Sequence, residues 1–456
     1  MMTEGQQKRF AEYTANKSDS PAARRLAALF DDGKFTEIGS GLSKQGKPAG
    51  VVTGYGLVNG SPAYAFIQDS AAMGGAVSGE HSAKICRLLE LAARGGVPVI
   101  GVYDSKGAFV EDGAAALNAY SEIMGALANL SGVVPTVSVI AGVCSGCMAL
   151  TALSADYTVM TKDGELYAEA SADSSPEAAA EKGLISDIAG DIDGAFEKVR
   201  TYLSLMPLNN LSAAPEFDYA DSGKASFDSP EDAAASLADA DSLTEISPMF
   251  GSASGTYLCT VGGAAAGIVT VGKKGEKLCG CDFSKIARFV RLCDAYGLPI
   301  ITVIDCEGAD TSCGCGARNF MKLSGAYAEA TAPKIALITG NASGSVFVAL
   351  AGKNTGADAV FALPSAVISP MAPEAAVEFL WHDRLKGAAD LAAARNELVK
   401  EYCETLGSAV DAAEKGAVDE VVSESEVRSM VISTVEISAG KRLNKRLPKK
   451  HSILPC

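Results

Sequence analysis

The sequence predicts an α/β protein made of two copies of one domain, and three observations carry that prediction. The segment KICRLLELAARGGVPVIGVYDSKGA, from residue 84, returns from residue 285 as KIARFVRLCDAYGLPIITVIDCEGA. Lys84 pairs with Lys285, Asp104 with Asp305, and Gly107–Ala108 with Gly308–Ala309, all at one offset of 201 residues. A second pair follows in the same order, SVIAGVCSGCMALTALSADYTVM (138–160) and ALITGNASGSVFVALAGKNTGADAVFAL (336–363). Within each copy, helical stretches alternate with nearly continuous apolar runs, as expected for strands buried on both faces and joined by crossover helices. A repeat this long is too large for a solenoid unit and reads as domain duplication.

The elements follow in order. Residues 5–30 read as helix, with Leu26, Leu29 and Phe30 apolar and Asp31–Gly33 as the stop. Residues 49–69 read as two strands around Asn59–Gly60, the strongest short hairpin signal. A helix over His81–Ala93 ends at Gly95, and Val97–Tyr103 is a buried strand. The helix Tyr120–Leu130, the strand Thr136–Ile140, a small-residue turn at 141–146, the helix Met148–Ala152 and the strand Tyr157–Met160 complete the first copy. Residues 206–245, with Pro207, Pro215 and Pro230, read as a linker with a short helix near Glu231–Ala238. This divides the chain into domains 1–245 and 246–456. The second copy repeats the hairpin (Tyr257–Ala266, Ile268–Val271), the helix Ser284–Ala295, the strand Pro299–Ile304, the helix Phe320–Ala330, the strand Lys334–Thr339, the turn Gly340–Gly344 and the strand Ala359–Phe361. Helices near Pro373–Trp381 and Ala388–Leu406 precede a basic tail, Lys441–Cys456, expected along the surface or over a partner.

Composition narrows the function. A net charge of −16 over 456 residues argues against nucleic acid, whose phosphates would be repelled. No run of eighteen apolar residues appears, and the polar start MMTEGQQKRFAEYT has no signal-peptide pattern, so a cytoplasmic protein is expected. Twelve cysteines without a stapled-module spacing fit free thiols in a reducing compartment. Cys313-Gly-Cys315 and the pair Cys279 and Cys281 lack zinc spacing, and with three histidines in the chain no metal is expected. There is no P-loop and no G-x-S-x-G elbow, and His81, His382 and His451 lie far apart, so nucleophilic catalysis is unsupported.

What remains are two turns and two loops. Gly142-Val143-Cys144-Ser145-Gly146-Cys147 sits between a buried strand and a helix, and Gly340-Asn341-Ala342-Ser343-Gly344-Ser345 matches it. Small residues let a ligand approach the backbone, and a helix start offers unpaired N–H groups, the equipment of an oxyanion hole. A plain strand–helix turn is the competing reading. The loops Ser105-Lys106-Gly107-Ala108 and Cys306-Glu307-Gly308-Ala309 follow a strand's carboxyl end, where α/β folds gather ligands. Lys106 can meet a phosphate as a point charge, and its counterpart Glu307 makes the two sites unequal. Asp104 and Asp305 are either strand-end caps or site groups.

On these residues the chain resembles the carboxyltransferase subunits of biotin-dependent acyl-CoA carboxylases, of the propionyl-CoA carboxylase beta type, and of sodium-pumping acyl-CoA decarboxylases. The pieces that carry the resemblance are AYAFIQDSAAMGGAVSGEHSAKI (63–85), GVPVIGVYDSKGAFVEDG (96–113), SGVVPTVSVIAGVCSGCMALTALSAD (131–156), SKIARFVRLCDAYGLPIITVID (284–305), AYAEATAPKIALITGNASG (326–344) and KRLNKRLPKKHSILP (441–455). The resemblance implies tandem crotonase-like (ClpP/crotonase) β-β-α superhelical domains, the first binding the acyl-CoA and the second carboxybiotin. It further implies a hexamer, a biotin carboxyl carrier protein as partner, and either a biotin carboxylase or a membrane decarboxylase subunit beside it. Two oxyanion holes then map onto Gly146 and Cys147, where the family has Gly-Gly, and onto Gly344 and Ser345, where it has Gly-Ala. The loops contribute Lys106, Gly107, Ala108, Gly308 and Ala309 as substrate-binding residues, and Phe347 aligns with a position that tunes acyl size. The loop CEGADTSCGCGARNF (306–320) is shorter than the family's and rich in cysteine, and Ser452 replaces a glycine of the tail motif. Two further readings stand beside this one: a biotin-independent crotonase-like decarboxylase or hydrolase, and a non-catalytic paralogue that acts as a scaffold.

Overall fold

The computed structural model describes residues 2–15, 20–169, 171, 173–272, 276–312, 314–386 and 388–441. Most of the basic tail and Cys313 therefore lie outside the described residues. The chain forms two compact units, Met1–Ala213 and Ala214–Cys456.

The first unit opens with α1 (Glu4–Ala15) and α2 (Pro21–Leu29). The sequence reads this region as one helix, but Ser20–Pro21 starts a new one. The Ser20 hydroxyl accepts the Ala23 N–H at 3.1 Å, and proline at the first helical position has no N–H to lose. The strands are β1 (Phe35–Glu37), β2 (Ser43–Lys44), β3 (Lys47–Pro48), β4 (Val51–Val58), β5 (Ser61–Gln68), β6 (Val99–Ser105), β7 (Thr136–Ser145), β8 (Tyr157–Thr161), β9 (Glu165–Tyr167) and β10 (Asp187–Ala189). Between them lie α3 (Gly79–Gly95), α4 (Ala114–Leu130), α5 (Cys147–Ala152) and α6 (Pro176–Glu181), with α7 (Ile192–Ser204) after β10. The main sheet runs β1-β4-β5-β6-β7-β8-β10, with an antiparallel hairpin first and parallel strands after it.

The second unit repeats that order. Its strands are β11 (Thr244–Glu245), β12 (Ser254–Val261), β13 (Ala264–Val271), β14 (Ile300–Cys306), β15 (Lys334–Ser343), β16 (Ala359–Ala362), β17 (Val367–Ser369) and β18 (Glu420–Val421). Its helices are α8 (Pro230–Leu237), α9 (Gly280–Ala295), α10 (Gly314–Glu329), α11 (Ser345–Leu350), α12 (Pro373–Leu380), α13 (His382–Leu385), α14 (Leu391–Glu404), α15 (Ala409–Glu414) and α16 (Glu424–Ser438). The sheet order β11-β12-β13-β14-β15-β16-β18 matches the first strand for strand.

The division falls at Ala213/Ala214, earlier than the expected 245/246. The segment before β11 packs on the second sheet. The Phe217 N–H donates to Gly263 O, and Arg428 of α16 reaches Asp239 Oδ1 at 2.9 Å and the carbonyls of Ser236 and Ala238. Ser229–Pro230 starts α8 as Ser20–Pro21 starts α2. The duplication thus begins before the stretch of detectable sequence identity.

Hairpin turns show why the halves match. Asn59 and Gly60 both have positive φ, and their N–H groups go to the Asp31 carboxylate at 3.1 and 2.7 Å. Gly262 and Gly263 do the same with Asp239 at 3.0 and 2.8 Å. The second hairpin therefore turns at Gly262–Gly263, earlier than its sequence reading. Lys84 donates to Val51 O at 2.7 Å and Lys285 to Ser254 O at 2.8 Å, so this repeated lysine ties each crossover helix to its hairpin.

Candidate functional site

The two turns expected to hold ligands are not loops. β7 continues through 141–145, leaves its partner β8 and pairs Val143–Ser145 with Glu165–Tyr167. β15 does likewise, pairing Asn341–Ser343 with Val367–Ser369. The small residues at 141–146 and 340–344 thus serve a strand that changes neighbours. A shift in register marks the same place in both units, between Tyr103 and Ser105 and between Ile304 and Cys306.

At the end of each strand stands a glycine, Gly146 (φ 61, ψ −136) or Gly344 (φ 56, ψ −124), and then a short helix. Only glycine takes that backbone readily. Its own N–H is used inside the fold: Gly146 donates to Tyr167 O and Gly344 to Ser369 O, both at 2.9 Å. Gly146 and Gly344 therefore shape the turn, whereas the expectation had them donating to a ligand. The open donor in each turn is the next residue. Cys147 and Ser345 are exposed, begin α5 and α11 without a side-chain cap, and have no N–H acceptor among the described residues.

The loops bring a second donor. Val77 N–H donates to Gly107 O and Phe109 N–H to Val77 O, both at 2.9 Å, so the Ala108 N–H between them faces away from Val77. Leu278, Gly308 and Asp310 reproduce this around Ala309. Ser105 pairs with Cys144, and a Cβ on Gly107 would stand 3.3 Å from Ser145 Oγ, so this loop lies against the turn. In the second unit Cys306 pairs with Ala342. The Gly107 N–H is taken by Ser105 Oγ at 3.1 Å, and the Cys306 thiol donates instead to Gly308 O at 3.2 Å. Each unit thus sets one loop N–H (Ala108, Ala309) and one helix-start N–H (Cys147, Ser345) at the end of adjacent strands.

The remaining expected residues fall around these donors. Lys106 is exposed, with its stem near Gly74, where a Cβ would be 3.3 Å from Lys106 Cδ. Phe347 is half-buried on α11. Asp305 takes the Asn341 N–H at 2.8 Å and so ties down its turn strand, whereas Asp104 takes the Ser70 hydroxyl at 2.6 Å and meets its turn strand by packing against Gly142. Tyr120 was not singled out by the sequence. It is buried beside the first turn, its hydroxyl 4.0 Å from a Cβ on Gly107, and burial raises its pKa, with the Cys147 and Cys144 sulfurs adding to the shift. Burial pushes the Cys144 thiol up to about 12. His81 is fully buried, which lowers its pKa to about 3, and its Nε2 lies 3.4 Å from the Gln68 side chain. It is a neutral core residue and no general base at ordinary pH. Among the described residues no group of three His, Cys, Asp or Glu side chains gathers as a metal ion needs. No described helix is long and apolar enough to cross a membrane.

A family model described as a carboxyl transferase domain matches residues 16–454. The chain belongs to the carboxyl transferase family. The methylmalonyl-CoA decarboxylase subunit alpha of Propionigenium modestum is 32% identical, over 95% of this chain and 93% of that protein. The propionyl-CoA carboxylase beta chain of Saccharopolyspora erythraea is 32% identical, over 96% and 91%. A transcarboxylase 12S subunit, solved as a hexamer assembly with methylmalonyl-coenzyme A and methylmalonic acid bound, superposes with a TM-score of 0.90 at 29% identity, over 100% of this chain and 99% of that one. The crotonase-like fold stands with these matches. The chain is an enzyme of acyl-CoA carboxyl transfer, and the expected coenzyme A thioester and carboxybiotin stand with that class.

Proposed function

We propose that the first unit binds the acyl-CoA and the second binds carboxybiotin, each through its own pair of backbone donors. The observation that carries this reading is the duplicated pair itself, Ala108 with Cys147 and Ala309 with Ser345, each pair just past the ends of adjacent strands and with no N–H acceptor among the described residues. In the first unit the pair receives the thioester oxygen, on which negative charge grows as the α-carbon loses its proton. In the second, the pair suits the anionic ureido oxygen of unloaded biotin. Carboxybiotin supplies the carboxyl group and, once unloaded, the base for the α-proton. The chain itself needs only to position and stabilise, which agrees with a sequence that carries no G-x-S-x-G nucleophile motif. The exposed Lys106 meets a phosphate of coenzyme A as a point charge, and Phe347 tunes the acyl size that is accepted.

The partner that presents biotin is a carrier protein, and the assembly is a homo-hexamer, as in the transcarboxylase 12S structures. A biotin carboxylase partner sets the carboxylating direction, and a membrane decarboxylase subunit the reverse, with the enzyme then at the cytoplasmic face of the membrane. The test mixes purified protein with free biotin and malonyl-, methylmalonyl- or glutaconyl-CoA and follows loss of carboxylate. Biotin-dependent turnover of at least one is expected. Thioester binding without biotin-dependent turnover of any of them sinks the reading.

A further inference from the structure

One ammonium group grips both segments that set the Ala108 N–H. Lys44 projects from the β2–β3 hairpin, and its Nζ stands 2.8 Å from Asp112 Oδ1 and 3.1 Å from Glu80 Oε2. Lys44 and Asp112 are largely shielded, with 17% and 15% of their side chains exposed. The ammonium also lies over the Phe109 ring, 5.6 Å from its centroid, and neighbouring Gln45 donates to Glu111 Oε2 at 2.9 Å. Phe109 directly follows Ala108, and its N–H makes one of the two bonds to Val77 that turn the Ala108 N–H outward. Glu80 lies just beyond Val77 on the first turn of α3, and Asp112 just beyond Phe109. Lys44 therefore holds the two arms of the Val77–Ala108 bridge at their far ends.

Without the cation, two carboxylates would face each other across that bridge. Like charges repel, and the pair responds either by one carboxylate taking up a proton or by one arm moving, and both loosen the hold on the bridge. The arm from Gly107 to Asp112 is the one held by few backbone bonds, and it carries Ala108. The arrangement is specific to the first copy. At the offset of 201 residues, Glu80 meets Cys281 and Asp112 meets Cys313, so no carboxylate stands at either position.

We propose that Lys44 is a positioning residue for the first site, which keeps the Ala108 N–H aimed at the thioester oxygen by holding Glu80 and Asp112 together. The inference rests on the reading that the first unit binds the acyl-CoA. The test compares wild type with Lys44→Met, Lys44→Arg and the triple variant Lys44→Met/Glu80→Gln/Asp112→Asn. Turnover is followed with free biotin and whichever of malonyl-, methylmalonyl- or glutaconyl-CoA the wild type uses, and hydrogen exchange is followed over residues 105–112. Lys44→Met is expected to lower kcat about 10- to 100-fold with little change in KM, because a small misplacement costs rate more than binding. Its 105–112 amides exchange faster, while Lys44→Arg and the triple variant recover most of the rate. Unchanged kcat in Lys44→Met, or a triple variant no faster than Lys44→Met, overturns the proposal. The failures are distinguishable: an inert wild type defeats the functional reading, whereas an active wild type with undisturbed exchange and rate in Lys44→Met defeats the clamp alone.

Discussion

Asp305 fills the space that a side chain on Gly340 would need: a Cβ there would stand 2.1 Å from Asp305 Oδ1. The same relationship joins Asp104 and Gly142, at 2.3 Å. In each unit the aspartate at the end of one strand braces the next strand where it leaves its first neighbour. Gly142→Ala and Gly340→Ala are each expected to cost about 1–3 kcal/mol of stability, the usual cost of overpacking. Each also shifts the turn that follows and lowers turnover. Urea denaturation checks this, and a double-mutant cycle with Asp104→Ala shows whether removing the aspartate recovers part of the loss at Gly142→Ala.

The donor assignment predicts a contrast within one turn. Cys147→Pro removes the open N–H at a first helical position, where proline fits. Turnover is expected to fall about 100- to 1,000-fold, as when one oxyanion donor is lost. Cys147→Ala keeps the N–H and keeps activity. Ser345→Pro and Ser345→Ala repeat the contrast in the second unit. Steady-state kinetics with circular dichroism to confirm folding checks both pairs, and equal activity of the proline and alanine variants places the donors elsewhere.

The duplicated α/β plan was legible because apolar strands and their glycine ends persist in both copies, so a single offset exposed them. The turns were legible for the right reason, small residues before a helix; of the two donors expected in each, Cys147 and Ser345 keep an open N–H, whereas the N–H of Gly146 and of Gly344 is used inside the fold. Sequence cannot show that the Gly146 N–H is already spent on Tyr167 O, because β9 reaches it only through a strand that changes partners. The pairing of Ser229–Pro230 with Ser20–Pro21 was hidden for a different reason. The capping Ser-Pro and the ends Ala27-x-Leu29-x-Asp31 and Ala235-x-Leu237-x-Asp239 are common to both, but α2 has 9 residues and α8 has 8, so no single offset aligns them and the rest diverges. Tyr120 and the Lys44 clamp carry no motif at all, since they are assembled from residues distant in sequence.

Thiol labelling separates the cysteines by burial. Cys147, Cys281 and Cys315 are exposed, whereas Cys144, Cys259 and Cys293 are buried with raised pKa values and stay protonated. N-ethylmaleimide is expected to modify Cys147 and leave those three buried thiols intact in the native protein. Modified Cys147 obstructs the first pair of donors, so turnover falls with labelling and a bound acyl-CoA slows it. Peptide mass spectrometry identifies the site, and labelling that the thioester does not slow argues that Cys147 lies outside the acyl-CoA site.

His81 makes stability depend on pH in one direction. Its pKa is lowered from 6.5 to about 3, with burial the main cause, so between those values the unfolded chain binds a proton that the native protein does not. Folding stability is therefore unaffected by this group above about pH 6.5 and declines as pH falls below it. The slope contributed is about 1.4 kcal/mol per pH unit. Exposed carboxylates titrate mostly below pH 5, so the interval from pH 6.5 to 5 isolates the histidine. His81→Gln removes the titrating group while keeping a polar side chain near Gln68. Its stability is expected to be nearly flat over that interval, even if lower throughout. Urea midpoints measured at pH 7, 6 and 5 on both proteins check the prediction, and parallel curves would show that His81 takes up its proton in the native state.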